Sequence, residues 1–443
     1  MVMLSVLFVI MASFLIISYI VCDRDMMAPE VLFIAGFILA ITAAIMNIEA
    51  WGIDLSIKTF LIIIVGTVSF MLSGLCYRTI HNKESIKNGE ELSYIKIPRW
   101  KTVLVIFFDL ITIFLYYHEV TRLANYADPY WRVMGVMVAY KRVISFGSMT
   151  INPIVNQLTK VVYSFGYIYI YVFINNHFAI EGAKQKKSNA EYMIPVVLFG
   201  MMSIIKGNRI DIIGLIVMAV FLYYMFLHKK IGWTKHVSGK LLRKALVIFV
   251  VAMIAFYYIK DIVGRVSSLN FLEYITQYIG GSIQLLDQYI RDGVASNKVP
   301  FGETLTGLIT GLRKLGLNTV SLRKQLEFRY TSTGVYLGNV YTALRRYYND
   351  AGWIGVIAFP AFLSFFMNRY YRKVRRCRGI SESKMFKTIV YASLLYVVPL
   401  QAMEDSFYIN KVTIGYAIEL LILYVCVHFI FIKIKIWRGK SSR

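Results

Sequence analysis

Residues 2–21 read Val-Met-Leu-Ser-Val-Leu-Phe-Val-Ile-Met-Ala-Ser-Phe-Leu-Ile-Ile-Ser-Tyr-Ile-Val, twenty positions without a charge. A helix that crosses the hydrocarbon core of a bilayer takes roughly 20 consecutive apolar residues, so this stretch reads as one membrane span. The pattern recurs at 31–47, 59–77, 102–120, 155–175, 191–205, 210–227, 245–260, 353–370, 388–403 and 412–432, which makes eleven expected spans. The 191–205 run is short and contains Pro195. Composition agrees: 58% of the 443 residues are hydrophobic and 17% are charged, and the mean hydropathy is +0.58. That excludes an ordinary soluble domain. The expected fold is an all-α, polytopic integral membrane protein, one domain over 1–443.

The net charge of +24 is explained by membrane orientation, and no nucleic-acid partner is expected. Lys and Arg gather in alternate loops: 78–101, 184–187, 229–244, 369–387 and the tail 433–443. With Arg24 these hold 29 of the 49 basic residues. The positive-inside rule places them in the cytoplasm, and eleven spans then put the N-terminus outside and the C-terminus inside. No Lys or Arg precedes the first apolar run and no small-residue cleavage site follows it, so a cleavable signal peptide is not expected. Asp23-Arg24-Asp25 resembles a metal-holding acidic pair, but this topology makes it cytoplasmic, and it is taken as loop polarity. One segment departs from the charge trend: eleven basic residues fall between Lys260 and Arg346, with no 20-residue apolar run. Amphipathic stretches at 271–291 and 303–316 alternate there with Gly-marked turns. The segment 261–350 is therefore expected to fold as an extracytoplasmic cap.

Outward-facing arginines in a membrane protein call for an anionic ligand. Arg209, Arg291, Arg323, Arg329, Arg345 and Arg346 are all external in this topology, and the planar guanidinium grips phosphate oxygens in pairs. Arg209, Arg323 and Arg345 are expected to face one cavity. Tyr330, Tyr336 and Tyr341 are interleaved with the later arginines, and aromatic faces pack on sugar rings. Few groups could accept a proton. His118 and Glu119 lie at the outer end of the fourth span and Glu404 at that of the tenth. His118 is the first choice because a neutral imidazole works near pH 7. Adjacent helical residues diverge by about 100°, so only one of His118 and Glu119 can face a given cavity. Walker A, HExxH and GxSxG patterns are absent, and Cys22, Cys76, Cys377 and Cys426 lack metal spacing. No metal or cofactor is expected, and the four thiols are expected to be free.

The run Gly338-Asn339-Val340-Tyr341-Thr342-Ala343-Leu344-Arg345-Arg346-Tyr347-Tyr348-Asn349-Asp350-Ala351-Gly352-Trp353-Ile354-Gly355 resembles the end of the large external loop in Wzy-type polysaccharide polymerases. In that family an Asn-x-Tyr-Thr element leads through Arg and Tyr to Asp-x-Gly-x-x-Gly and a membrane span. Residues 271–292, with Tyr278-Ile279-Gly280-Gly281-Ser282, are similar to that loop's beginning, and Lys206-Gly207-Asn208-Arg209 before an apolar span also fits. Arg-x10-Gly spacings typical of the family recur at Arg291 and Gly302 and at Arg323 and Gly334; a third, at Arg78 and Gly89, is on the cytoplasmic side. The resemblance implies glycosyl transfer on the outer face of the bacterial cytoplasmic membrane. The growing glycan leaves undecaprenyl pyrophosphate and joins the non-reducing-end sugar of a new lipid-linked repeat unit. Such a reaction needs cations to stabilise the leaving pyrophosphate and a base for the acceptor hydroxyl. Its partners are the lipid-linked oligosaccharide, membrane lipids and a chain-length regulator protein. An O-antigen ligase shares the donor but not the acceptor, and a lipid-linked oligosaccharide flippase would be non-enzymatic; the Asn-Val-Tyr-Thr to Asp-Ala-Gly-Trp run favours the polymerase.

Overall fold

The computed structural model describes residues 2–81, 89–127, 135–146, 149–180, 183–233, 239–265, 267–293, 299–317, 322, 326–432 and 434–437. The chain is mostly helical. Seven helices among the described residues are long and apolar enough to cross a membrane: Val2–Val21, Ile57–Ile80, Arg99–Tyr126, Gln185–Ile205, Arg209–Ile231, Ala343–Arg375 and Ile414–Phe431. Pro29–Ile45 is apolar but shorter. Two short antiparallel strand pairs, not foreseen in the sequence, complete the secondary structure.

The chain divides into two compact units. The first comprises Met1–Glu84, Asn270–Lys373 and Leu395–Ile418. Its helix Phe271–Arg291 starts with a capping box, in which the Asn270 side chain accepts from the Glu273 amide and Glu273 reaches back to the Asn270 amide. Both groups satisfy amides that the first helical turn leaves without partners. This helix has an apolar face and packs on Pro29–Ile45. The helix Ala343–Arg375 is broken at Ala351 and Gly352, where Gly352 takes φ 57°, ψ −138°. Only glycine occupies that region readily. The apolar run expected at 353–370 starts directly after this break. Gly355 follows, and a Cβ there would stand 2.0 Å from the Tyr347 carbonyl oxygen. The strands Arg329–Tyr330 and Tyr336–Gly338 pair through a tight turn in this unit.

Asp25, expected to be loop polarity, is buried in the first unit and accepts from the Tyr371 hydroxyl at 2.8 and 3.0 Å. The residues before it, Asp23 and Arg24, adopt positive φ, which turns the chain back so that Asp25 points inward.

The second unit comprises Ser85–Leu269, Val374–Leu394 and Glu419–Arg443. Asn152 caps Pro153–Ala179 by accepting from the Ile154 amide, with Pro153 at a position where no amide donor is needed. Strand Tyr94–Lys96 pairs antiparallel with Lys435–Trp437. On its other edge the Asn176 side chain accepts from the Ile95 amide and donates to the Ile95 carbonyl, both at 2.8 Å. Lys101 is buried, and its ammonium donates to the Phe429 and Ile432 carbonyls at the end of Ile414–Phe431. A cation at a helix C-terminus is favourable.

The run expected as a span at 388–403 forms two helices, Glu382–Leu394 and Val397–Leu400. Pro399 has no amide to bond the Leu395 carbonyl four residues back, so a continuous helix is interrupted there.

Candidate functional site

In the first unit the 338–355 run supplies most of a buried polar network. Arg345, only 3% exposed, follows a turn in which the Ala343 amide donates to the Gln401 carbonyl at 2.9 Å. Its guanidinium donates to Glu303 and, at 2.9 and 3.1 Å, to both carboxylate oxygens of Glu327. Its guanidinium carbon is 4.0 Å from the Tyr289 ring centre and 4.8 Å from that of Tyr341, two rings that stand 6.4 Å apart and nearly perpendicular. The Tyr341 hydroxyl donates to the Glu327 carbonyl at 3.2 Å, and Tyr289 donates to Asn349. Asp350 accepts from the backbone amides of Glu303 and Thr304 at 3.2 and 2.6 Å. Every motif residue with a polar side chain at 341, 345, 349 and 350 therefore meets 289, 303–304 or 327.

The acids of this network differ in surroundings. Burial raises the Glu303 carboxyl above its ordinary range, against the pull of Arg345 and Arg346. Burial also acts on Glu327, but Arg345 and hydrogen bonds outweigh it and hold the group below its ordinary range. Burial pushes the Tyr289 hydroxyl up to about 12. Arg329 pairs with Asp292 and, at 3.4 Å, with Glu327. Arg291 pairs with Asp287 at 2.7 Å and with Asp54 at 3.3 Å. Arg346 is buried and donates to the Glu303 carbonyl at 3.3 Å. The expected anion-binding arginines of this unit thus stand among carboxylates, an arrangement that sequence spacing did not reveal. Arg323 lies outside the described residues.

The three tyrosines separate by exposure. Tyr341 is buried inside the network, whereas Tyr330 and Tyr336 are 61% and 44% exposed. Their rings lie 5.2 Å apart, and Phe328 stacks with Tyr336 at 6.2 Å. The strand pair thereby carries an aromatic platform, held by Gln277 and Gln288 donating to the Tyr336 and Tyr330 carbonyls. Next to Glu404, Asp405 is 1% exposed and accepts from the Tyr408 amide at 3.0 Å. Burial pushes its carboxyl up to about 7, and the nearby Arg346 opposes this.

His118, Glu119 and Arg209 belong to the second unit. His118 is exposed and falls on the outward stripe of its helix with Phe107, Ile111 and Phe114. Glu119 turns elsewhere: it receives Arg122 at 2.8 Å and the Asn152 amide at 3.0 Å. Arg209 is 5% exposed, with its guanidinium 3.9 Å from the Phe256 ring centre.

Residues not singled out in the sequence are Tyr289, Glu303, Glu327 and Asn349. Asn349 and Tyr289 lie within the runs 338–355 and 271–292 without being marked as site residues, and nothing local marks Glu303 or Glu327. All four cysteines are free. Among the described residues no group of three or more His, Cys, Asp or Glu side chains is placed to hold a metal ion. No family model, curated protein or solved structure matches this chain.

Proposed function

We propose that this chain polymerises lipid-linked oligosaccharide repeat units on the outer face of the bacterial cytoplasmic membrane. In this reading it transfers the growing glycan from undecaprenyl pyrophosphate to the non-reducing-end sugar of the next unit. The observation that carries the reading is the run 338–355, whose Tyr341, Arg345, Asn349 and Asp350 side chains all enter one buried network. Eleven spans, an outer N-terminus and a cytoplasmic C-terminus complete the proposed arrangement, with 261–350 as the external cap.

The chemistry asked of the site is modest. Pyrophosphate is a good leaving group, so cations that meet its developing charge do most of the work. Glu327 is the exchangeable partner of Arg345: it is 40% exposed, against 17% for Glu303. A phosphate can take its place on the Arg345 Nη2, which serves both Glu327 oxygens while Nη1 serves Glu303. Arg291, Arg329 and Arg346 lie in the same unit, and the exposed faces of Tyr330 and Tyr336 suit sugar rings. Glu404, His118 and Glu119 are the proposed proton acceptors.

The direct test is deletion of the protein in its own cells. Single repeat units, capped or lipid-linked, should replace long glycan. A normal chain-length distribution would remove the polymerase reading, and loss of even single units would point to a flippase. Orientation is tested by an impermeant thiol reagent on intact cells, which should label Ser268→Cys and leave native Cys377 unlabelled.

A further inference from the structure

In the second unit the helix Arg99–Tyr126, long and apolar enough to cross a membrane, carries an acid deep inside it. Asp109 lies about 15 Å along the helix axis from Arg99, against a hydrocarbon core of roughly 30 Å. It is 0% exposed. Neither of its carboxyl oxygens has a hydrogen-bond partner among the described residues, and no cation stands beside it. The surroundings are apolar: the Phe165 ring meets Phe108 and Phe429 edge-on, each pair with centroids 6.4 Å apart. A bare carboxylate in such a place is costly, and ionisable groups at membrane depth are kept where they serve a function.

Two titratable groups face Asp109 closely enough to feel its charge, Tyr169 from Pro153–Ala179 and Cys426 from Ile414–Phe431. The helix Met193–Ile205, also packed on this span, has no titratable side chain. Val136–Phe146 carries Tyr140, Lys141 and Arg142, and it meets the span beyond Asp109, where the Tyr140 and Tyr116 hydroxyls stand 3.0 Å apart. Lys101, on the same helix as Asp109, is committed to the Phe429 and Ile432 carbonyls. Thr102, Asp109 and Tyr116 recur at every seventh position and are all buried, so they share one helix face. The Tyr169 hydroxyl donates to Thr102 at 3.2 Å, and the Tyr169 ring stands 5.8 Å from that of Tyr192. Tyr192 follows Glu191, which is partly exposed and pairs with Arg99. Hydroxyl groups therefore lead from the Arg99 end of the span towards Asp109.

We propose that Asp109 is a proton-binding site inside the membrane-spanning part of this chain, loaded from the Arg99 end through Thr102 and Tyr169. An O–H bond forms at an Asp109 oxygen as the Tyr169 hydroxyl gives up its proton, and Tyr169 takes a replacement from the Thr102 side. One water, or a turn of the Asp109 side chain, closes the gap to Tyr169. Release of the proton leaves a charge that this packing cannot accommodate, so loading and unloading bias how Pro153–Ala179 and Ile414–Phe431 sit on the span. The site is independent of the polymerase reading above.

The test is infrared spectroscopy of the purified full chain in detergent. At neutral pH the protein should show a protonated-carboxyl C=O band that Asp109→Asn removes and Asp109→Glu shifts. Subtracting the variant spectrum leaves out other buried acids such as Asp405, and the Asp109→Glu shift makes the assignment if Asp109→Asn does not fold. On transfer to heavy water the band moves as the proton exchanges, and Tyr169→Phe and Thr102→Val should slow that movement several-fold while keeping the band. Identical carboxyl spectra for the wild type and both Asp109 variants overturn the site. Loss of the band on adding sodium ions at constant pH assigns the site to a metal cation and overturns the proton reading. Exchange at the wild-type rate in both Tyr169→Phe and Thr102→Val overturns the path.

Discussion

The Arg345 guanidinium lies 4.0 Å from the centre of the Tyr289 ring, on a helix that starts some seventy positions earlier in the chain. A cation over a desolvated ring contributes about 2 kcal/mol, and here the same cation also holds Glu303 and Glu327. Removing one member of a buried charged set costs roughly 3–5 kcal/mol, because its partners are left uncompensated. Arg345→Ala should therefore lower the melting temperature in detergent sharply. Arg345→Lys should recover part of the stability, since an ammonium cannot serve both carboxylates in one plane. If polymerisation uses this fork, Arg345→Lys gives folded protein and shortened glycan. Wild-type melting of Arg345→Ala would show that the network does not hold this unit together.

The two glycines that follow Asp350 have separate duties. Gly352 takes a backbone conformation closed to other residues, and Gly355 lies where a side chain would strike the Tyr347 carbonyl. Gly352→Ala should cost about 1–3 kcal/mol in strain, and Gly355→Ala about 1–3 kcal/mol in overpacking. Thermal melts of both variants check this; neutrality of both would mean that the break is not required for the helix to leave the network.

These glycines show what was legible in advance. Apolar runs identify helices in lipid because hydrocarbon thickness fixes their length, and the break at Ala351 falls where the charged motif meets the apolar run. The spacing of Tyr341, Arg345 and Asp350 was visible, but their partners were not. Glu303 and Glu327 are reached through tertiary contacts that no local period encodes. Helical runs also conceal backbone breaks: 388–403 is mostly apolar, and Pro399 announces the interruption.

His118 and Glu119 are adjacent, yet the structure gives them different surroundings. Glu119 receives the Asn152 amide at 3.0 Å and so fixes the start of Pro153–Ala179. Glu119→Ala should lower stability by about 1 kcal/mol, whereas His118→Ala, on an exposed stripe, should leave melting unchanged. Glycan length then tests chemistry independently of folding. Shortened glycan from the stable His118→Ala protein assigns the proton acceptor there; wild-type length from His118→Ala and Glu119→Gln moves it to Glu404 or Asp405.

Asp405 makes a prediction about pH. Its carboxyl is buried, one oxygen accepts from the Tyr408 amide, and the Tyr347 hydroxyl stands beside it. Burial pushes it up to about 7, whereas an aspartate in an unfolded chain titrates near about 3.9. Between these values the folded state keeps a proton that the unfolded chain has released. The stabilisation is therefore fully present below about pH 4 and is lost as pH rises through about 7. One pKa unit corresponds to about 1.4 kcal/mol, so the total loss is on the order of a few kcal/mol. The melting temperature in detergent should fall between pH 5 and pH 8, roughly the window these values bracket. Asp405→Asn keeps an oxygen to accept from Tyr408 but has no proton to lose, so its profile should be flatter across that window. Parallel profiles for the two proteins would show that Asp405 does not carry the pH response.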